Sequence, residues 1–162
     1  MIDKLIVISH DEITASLMPL LHETLYVLHS SPCTPAFHDL FSHLLEFWSR
    51  DGTKPESRYL ISAELVYLIE FAGLASSRYI LTILSTISSK LRYETKVSHI
   101  LKSLDIIFAL AQQTSIVSKI NIKQYQELLT LAKDSSKNDP KVVKKCDEIF
   151  EIVKSAPEPP VF

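Results

Sequence analysis

Glycine is nearly absent from this chain. Of 162 residues, only Gly52 and Gly73 are glycine. Phosphate-binding loops, dinucleotide folds and nucleophile elbows each need several glycines within a few positions, because the backbone must approach a phosphate or turn sharply. None of these can be built here. Cysteine is equally scarce. Cys33 and Cys146 lie far apart, in no metal-like spacing, and are too few for a disulfide framework. They read as reduced thiols in an intracellular protein, cytoplasmic or nuclear. Long apolar runs are lacking too. The stretch Leu5 to Ile8 is too short for the core of a signal peptide, and no stretch is expected to approach the ~18 apolar residues of a membrane span. Net charge is −2 and the isoelectric point about 6.3, so the totals carry no basic footprint of a nucleic-acid binder. Sustained strand alternation is missing: "KLIVIS", from Lys4 to Ser9, is the sole candidate, and a lone strand has no partner.

What is present is helical pattern. Hydrophobic residues are 46% and charged residues 22%, near the soluble globular average, and the chain is long enough to bury a core without metal or disulfide staples. Ser9 and Glu12 form a capping box ahead of Ile13, Leu17, Leu20, Leu21 and Leu28, with Pro19 expected to kink that helix. "SSPCTP" ends it. Thr34 then caps a second helix with Pro35 at its first position, and Phe37, Leu40, Phe41, Leu44 and Trp48 share one face. After the loop "RDGTKPE", a third helix runs from about Glu56 to Ala72, with Gly73 as its left-handed C-terminal cap. A fourth starts near Ser76 or Ser77 and ends near Leu91, turning Ile80, Ile83, Leu84, Ile87 and Leu91 inward.

The fifth helix begins near Glu94. Val97, Ile100, Leu101, Leu104, Ile107, Phe108 and Ala111 cover one face, while Ile106 and Leu110 extend onto the other. A helix apolar on most sides is buried on most sides, which makes this the expected central helix. A sixth runs from about Asn121 to Asp134. The seventh, in "SKNDPKVVKKCDEIFEIVK", has Asp139 as cap, Pro140 as first helical residue, and Val142, Cys146, Ile149, Phe150 and Val153 as its buried face. The fold class is therefore all-α, with seven or eight helices. Residues 1–155 read as a single helical domain. The proline-rich tail 156–162 reads as an extended segment opening a linker, and the chain as a piece of something longer.

The expected helix starts fall about 20 residues apart, roughly 40 per pair, within the range of helical repeats. The stretches "ILKSLDIIFALAQQ" and "YQELLTLAKDSSKNDPKVVKKCDEIFEIVK" resemble armadillo and HEAT repeats, in which an Asn-Asp-Pro turn commonly opens a helix. They also resemble the last helices of the ENTH, VHS and CTD-interacting-domain superhelix. The resemblance covers roughly residues 95–154. It implies a right-handed superhelix or a HEAT/armadillo-like helical-repeat bundle, and a binding scaffold rather than an enzyme. The ENTH-type lipid site would need a basic amphipathic N-terminus, whereas "MIDKLIVISHDE" carries one lysine and three acids.

Side chains capable of chemistry are scattered. His10, His22, His29, His38, His43 and His99 include no i, i+4 pair, and His38 and His43 diverge by about 140° around a helix, so they read as surface or interhelical histidines. "FHDLFSH" brings His, Asp and Ser together in sequence, but a helix scatters their directions. Lys133, Lys137, Lys141, Lys144, Lys145 and Lys154 are interleaved with acids, which reads as a solvated face with pairs such as Lys144–Glu148. The competing reading is a surface for an acidic partner or nucleic acid. Trp48 reads as core, alongside Phe41 and Leu44, ahead of an interface anchor.

One face departs from the usual pattern. The outer positions of the fourth helix are Thr82, Ser85, Thr86, Ser88 and Ser89, almost without charge. Small hydroxyl residues let another backbone come close, so this face either packs under a neighbouring helix or receives a partner. The expected function is a non-enzymatic scaffold or adaptor that binds a peptide or helix of another protein through Thr82, Ser85, Thr86 and Ser89. It needs no cofactor, metal or small-molecule substrate and no integral membrane. An adaptor of the ENTH, VHS or CTD-interacting class, reading a sorting or phosphorylated motif, is the alternative. A helical nucleic-acid binder using the C-terminal lysines ranks last.

Overall fold

A computed structural model describes residues 35–160. The expected helix from Ser9 with its kink at Pro19, the "KLIVIS" stretch, the Thr34 cap, Cys33 and the first three histidines lie outside the described residues, as do residues 161–162. The regular structure of the described residues is all helix, without a strand, so the fold is all-α. They divide into two compact units, one ending at Ala72 and one starting at Gly73.

In the first unit Pro35 opens α1 (Pro35–Ser49), and α2 spans Pro55–Ala72. Pro suits a first turn because its missing N–H would have no helical partner there. The buried face of α1 is Phe37, Leu40, Phe41, Leu44, Leu45, Phe47 and Trp48, against Ile61, Leu65, Leu68 and Ile69 of α2. Trp48 is core, and its indole Nε1–H donates to Ser62 Oγ at 2.8 Å. The last carbonyls of α1 have no helical donors, and side chains supply them. Thr53 Oγ1 donates to the Phe47 carbonyl at 2.7 Å and Arg58 Nε to the Trp48 carbonyl at 2.8 Å. The Arg58 guanidinium also lies over the Trp48 ring, 5.6 Å from its centroid.

By length and composition, the helical run Pro55–Leu91 is apolar enough to cross a membrane; the core helix of a globular protein passes the same test. The expectation that no stretch approaches a membrane span is thus corrected on length and composition, although Glu56, Arg58, Glu64, Glu70, Arg78 and Lys90 lie along the run.

The second unit opens at Gly73 with φ +54°, a backbone conformation that strains residues bearing a Cβ. Gly73–Tyr79 is a 3-10 helix, followed by α3 (Ile80–Leu91), α4 (Val97–Gln113), α5 (Ser115–Ile120), α6 (Ile122–Ser135) and α7 (Pro140–Ser155). The expected start of α3 at Ser76 or Ser77 is three or four residues early. Ser76 is buried, and its Oγ closes the tight turn by donating to the Gly73 carbonyl at 2.7 Å. The expected start of α4 at Glu94 also shifts, to Val97. Glu94 instead stands outside the helix and accepts the Thr95 and Lys96 backbone N–H groups, each at 2.9 Å. The short helix α5 was not anticipated. Asp139 caps α7 as expected: its carboxylate accepts the Lys141 N–H at 2.9 Å, with Pro140 at the first helical position.

α4 is the central helix. Ile100, Leu104, Ile106, Ile107, Leu110 and Ala111 are fully buried on several of its sides, and it packs against the 3-10 helix, α3, α5 and α7. Among the longer helices of the second unit, the packed pairs are α3–α4, α4–α7, α7–α6 and α6–α3. Consecutive helices of an up-down-up-down bundle would be neighbours all round the ring. Here α4 instead packs on α7, and the first helix of each hairpin packs on the first of the other. Ser135 Oγ, at the end of α6, donates to the carbonyl of Leu91, at the end of α3, at 2.7 Å, so these two ends meet.

Candidate functional site

α3 buries Ile80, Ile83, Leu84, Ile87 and Leu91. Helical periodicity then turns the hydroxyl positions outward. Thr82, Ser85 and Ser89 are exposed, and Thr86 and Ser88 are half-buried. The outer face of α3 is therefore left uncovered by the other helices of the second unit. An open groove of about 690 Å3 runs beside it, with Leu81, Thr82, Leu84, Ser85, Ser88 and Ser89 on the α3 side. Arg92 and Tyr93 extend it past the helix end, and Gln124 and Glu127 of α6 form the other wall. Thr86 stands on the same helix but does not line it. Sequence reasoning located the hydroxyl residues; it missed Leu81, Tyr93 and the α6 wall. Periodicity within one helix carries no information about its neighbour.

Two of the five hydroxyls, Ser85 and Ser89, are engaged by their own helix. Ser85 Oγ donates to the Thr82 carbonyl at 3.1 Å and Ser89 Oγ to the Thr86 carbonyl at 2.7 Å. With their protons committed, they offer a visitor acceptor lone pairs and a nearly smooth surface. Leu81 is 58% exposed and Tyr93 87% exposed, large values for apolar side chains beside a groove. The charges among its lining residues are Arg92 and Glu127, one of each sign.

Among the described residues no group of three or more His, Cys, Asp or Glu is placed to hold a metal ion. His38 and His43 are exposed on α1. His99 Nδ1 lies 2.9 Å from Glu94 Oε2. Burial acts to raise the Glu94 pKa, but hydrogen bonds from Lys96, His99 and Thr95 outweigh it and hold the carboxyl below its usual value. Burial pushes the Cys146 thiol up to about 11, which leaves it protonated and unreactive near neutral pH.

Two of the C-terminal lysines form ion pairs between helices. Lys133 Nζ meets Asp147 Oδ1 at 2.7 Å, and Lys145 Nζ lies 3.4 Å from Asp105 Oδ1. The ion pairs at Lys144 and Glu148 expected along α7 are not among them. Lys119 of α5 fastens the tail: its Nζ donates to the Ala156 carbonyl at 2.6 Å and pairs with Glu158 at 2.9 Å.

In comparisons with known proteins the chain matches no family model, no curated protein and no solved structure.

Proposed function

We propose that this chain is a non-enzymatic interaction module that receives an amphipathic helix of a partner protein in the groove between α3 and α6. The observation carrying this reading is the pairing of a charge-poor hydroxyl face with two exposed large side chains, Leu81 and Tyr93, along one open groove. Small residues allow a helix backbone to approach closely, and exposed aromatic and aliphatic side chains supply apolar area to bury. Arg92 and Glu127 fix the register of a helix carrying one acid and one base at matching positions.

The same reading covers the arrangement of helices. The hairpins α3–α4 and α6–α7 stack first helix on first and second on second, as in HEAT and armadillo repeats, and the Asn138-Asp139-Pro140 turn opens the last helix as those repeats do. What supports a repeat is this packing order together with the resemblance of residues 95–154. A photo-crosslinking amino acid at Ser85 tests the function. It should capture one partner through one helical segment, and a synthetic peptide of that segment should bind the purified chain. Equal capture from Ser85 and from exposed Lys123 of α6, or a captured peptide that fails to bind, overturns the reading.

A further inference from the structure

A second groove, of about 530 Å3, lies between the other two helices of the ring, α4 and α7. Its α4 wall is Ser98, Leu101, Lys102 and Asp105; its α7 wall is Lys141, Lys144, Lys145 and Glu148. Each set follows i, i+3, i+4, i+7 spacing, so each is one edge of its helix. Four lysines therefore face two acids.

The charges are not all internally spent. Asp105 is answered by Lys145, whose ammonium also sits 4.0 Å from the centroid of the Phe108 ring. Among the described residues, no ion pair reaches Lys102, Lys141 or Lys144, and all three are exposed. Lys141 is in the first turn of α7, where a base works against the helix dipole, and that turn contains no acid. With four lysines against two acids, the groove carries an excess of two positive charges in a chain whose net charge is −2.

The geometry points to an acidic peptide segment of a partner protein as the occupant of this groove. Carboxylates match Lys102 on one wall and Lys141 and Lys144 on the other. The half-buried Leu101 between them gives an apolar side chain of the segment a place to rest. Glu148 favours a peptide over nucleic acid: it can accept a backbone N–H or pair with a base of the peptide, whereas a phosphate backbone offers it only repulsion. This site is independent of the α3–α6 groove, because it uses the other helix of each hairpin.

The test measures fluorescence anisotropy of a labelled glutamate-rich peptide with a central leucine, at low salt and at physiological ionic strength. The chain should bind it, and more weakly as salt rises. Reversing two charges in Lys102→Glu/Lys144→Glu should weaken binding at least about tenfold, since each exposed pair is worth a severalfold change. Lys123→Glu/Lys154→Glu makes the same change in net charge outside the groove and should leave affinity within about twofold of the parent. Circular dichroism melts confirm that both variants are folded. If Lys102→Glu/Lys144→Glu is unfolded, Lys102→Gln/Lys144→Gln takes its place. Equal weakening by the two double variants, no binding of the peptide, or preferential binding of single-stranded DNA or of phosphatidylserine vesicles overturns the proposal.

Discussion

The phenol of Tyr125 meets the hydroxyl of Ser118 at 2.8 Å, with both side chains sealed from solvent. Ser118 in turn meets Thr114 at 2.8 Å, and Thr114 Oγ1 donates to the Leu110 carbonyl at 2.6 Å. This chain of hydroxyls ties the end of α4, the short α5 and the start of α6 together. Tyr125→Phe breaks it and leaves Ser118 short of a partner. The expected cost is about 1–2 kcal/mol, read by denaturant titration. Burial also pushes the Tyr125 pKa from 10.0 up to about 12, against hydrogen bonds with Ser118 and Thr114. The unfolded chain releases this proton near pH 10 and the folded chain only near 12. Tyr125 therefore contributes no loss below pH 10, and stability falls as pH rises from 10 to 12. Tyr125→Phe should flatten that alkaline fall; an unchanged profile would mean the phenol is solvated.

Lys137 should respond in the opposite direction. It sits just past α6 with φ 54°, and the N–H of Asn138 returns to the Lys133 carbonyl at 2.8 Å, the pattern of a Schellman turn. A side chain in that conformation costs roughly 1–2 kcal/mol, and glycine escapes it at some cost in chain entropy. Lys137→Gly should raise stability by about 0.5–1 kcal/mol. A lower melting temperature would place the strain elsewhere.

Leu104 is wholly buried at the middle of α4. Leu104→Ala should cost roughly 2–5 kcal/mol through lost transfer energy and the cavity left behind. Urea titration of parent and variant checks this, and coincident curves would make α4 peripheral.

Ser85 and Ser89 are exposed, so Ser85→Arg with Ser89→Glu should leave the melting temperature nearly unchanged, both replacements being good helix formers. The same pair should abolish capture of the partner helix. A stable double variant that still captures it would remove this groove as the site.

Local features were legible where one residue type answers one backbone need. Asp139 and Pro140 announce the start of α7, Pro35 that of α1, and Gly73 the left-handed end of α2. Leu104 was legible as core because α4 is apolar on most sides. Ser76 misled because a serine that caps a helix and one that closes a 3-10 turn look alike in sequence. α5 escaped because six residues are too few to show a period. The hydroxyl face of α3 could be found, but its exposure could not, since that depends on what packs over it. The lysines of α7 read as a solvated row along the chain. Lys102, far away in sequence and on the opposite wall, gives them a groove.

The packing order of the four long helices also shapes how the chain reaches its fold. Each hairpin closes over a short turn, so its contacts are local and form early. Joining the hairpins is the slower event, because it must bring together groups as distant as Leu91 and Ser135, 44 residues apart. Loop-closure entropy grows only with the logarithm of that separation, so the barrier to docking is set more by aligning two apolar faces than by chain length. A ribosome-bound chain that has emerged only as far as α4 holds the first hairpin of the second unit without the hairpin that covers it. Ile83, Leu84, Ile107 and Leu110 would wait there as sticky surface until α6 and α7 follow.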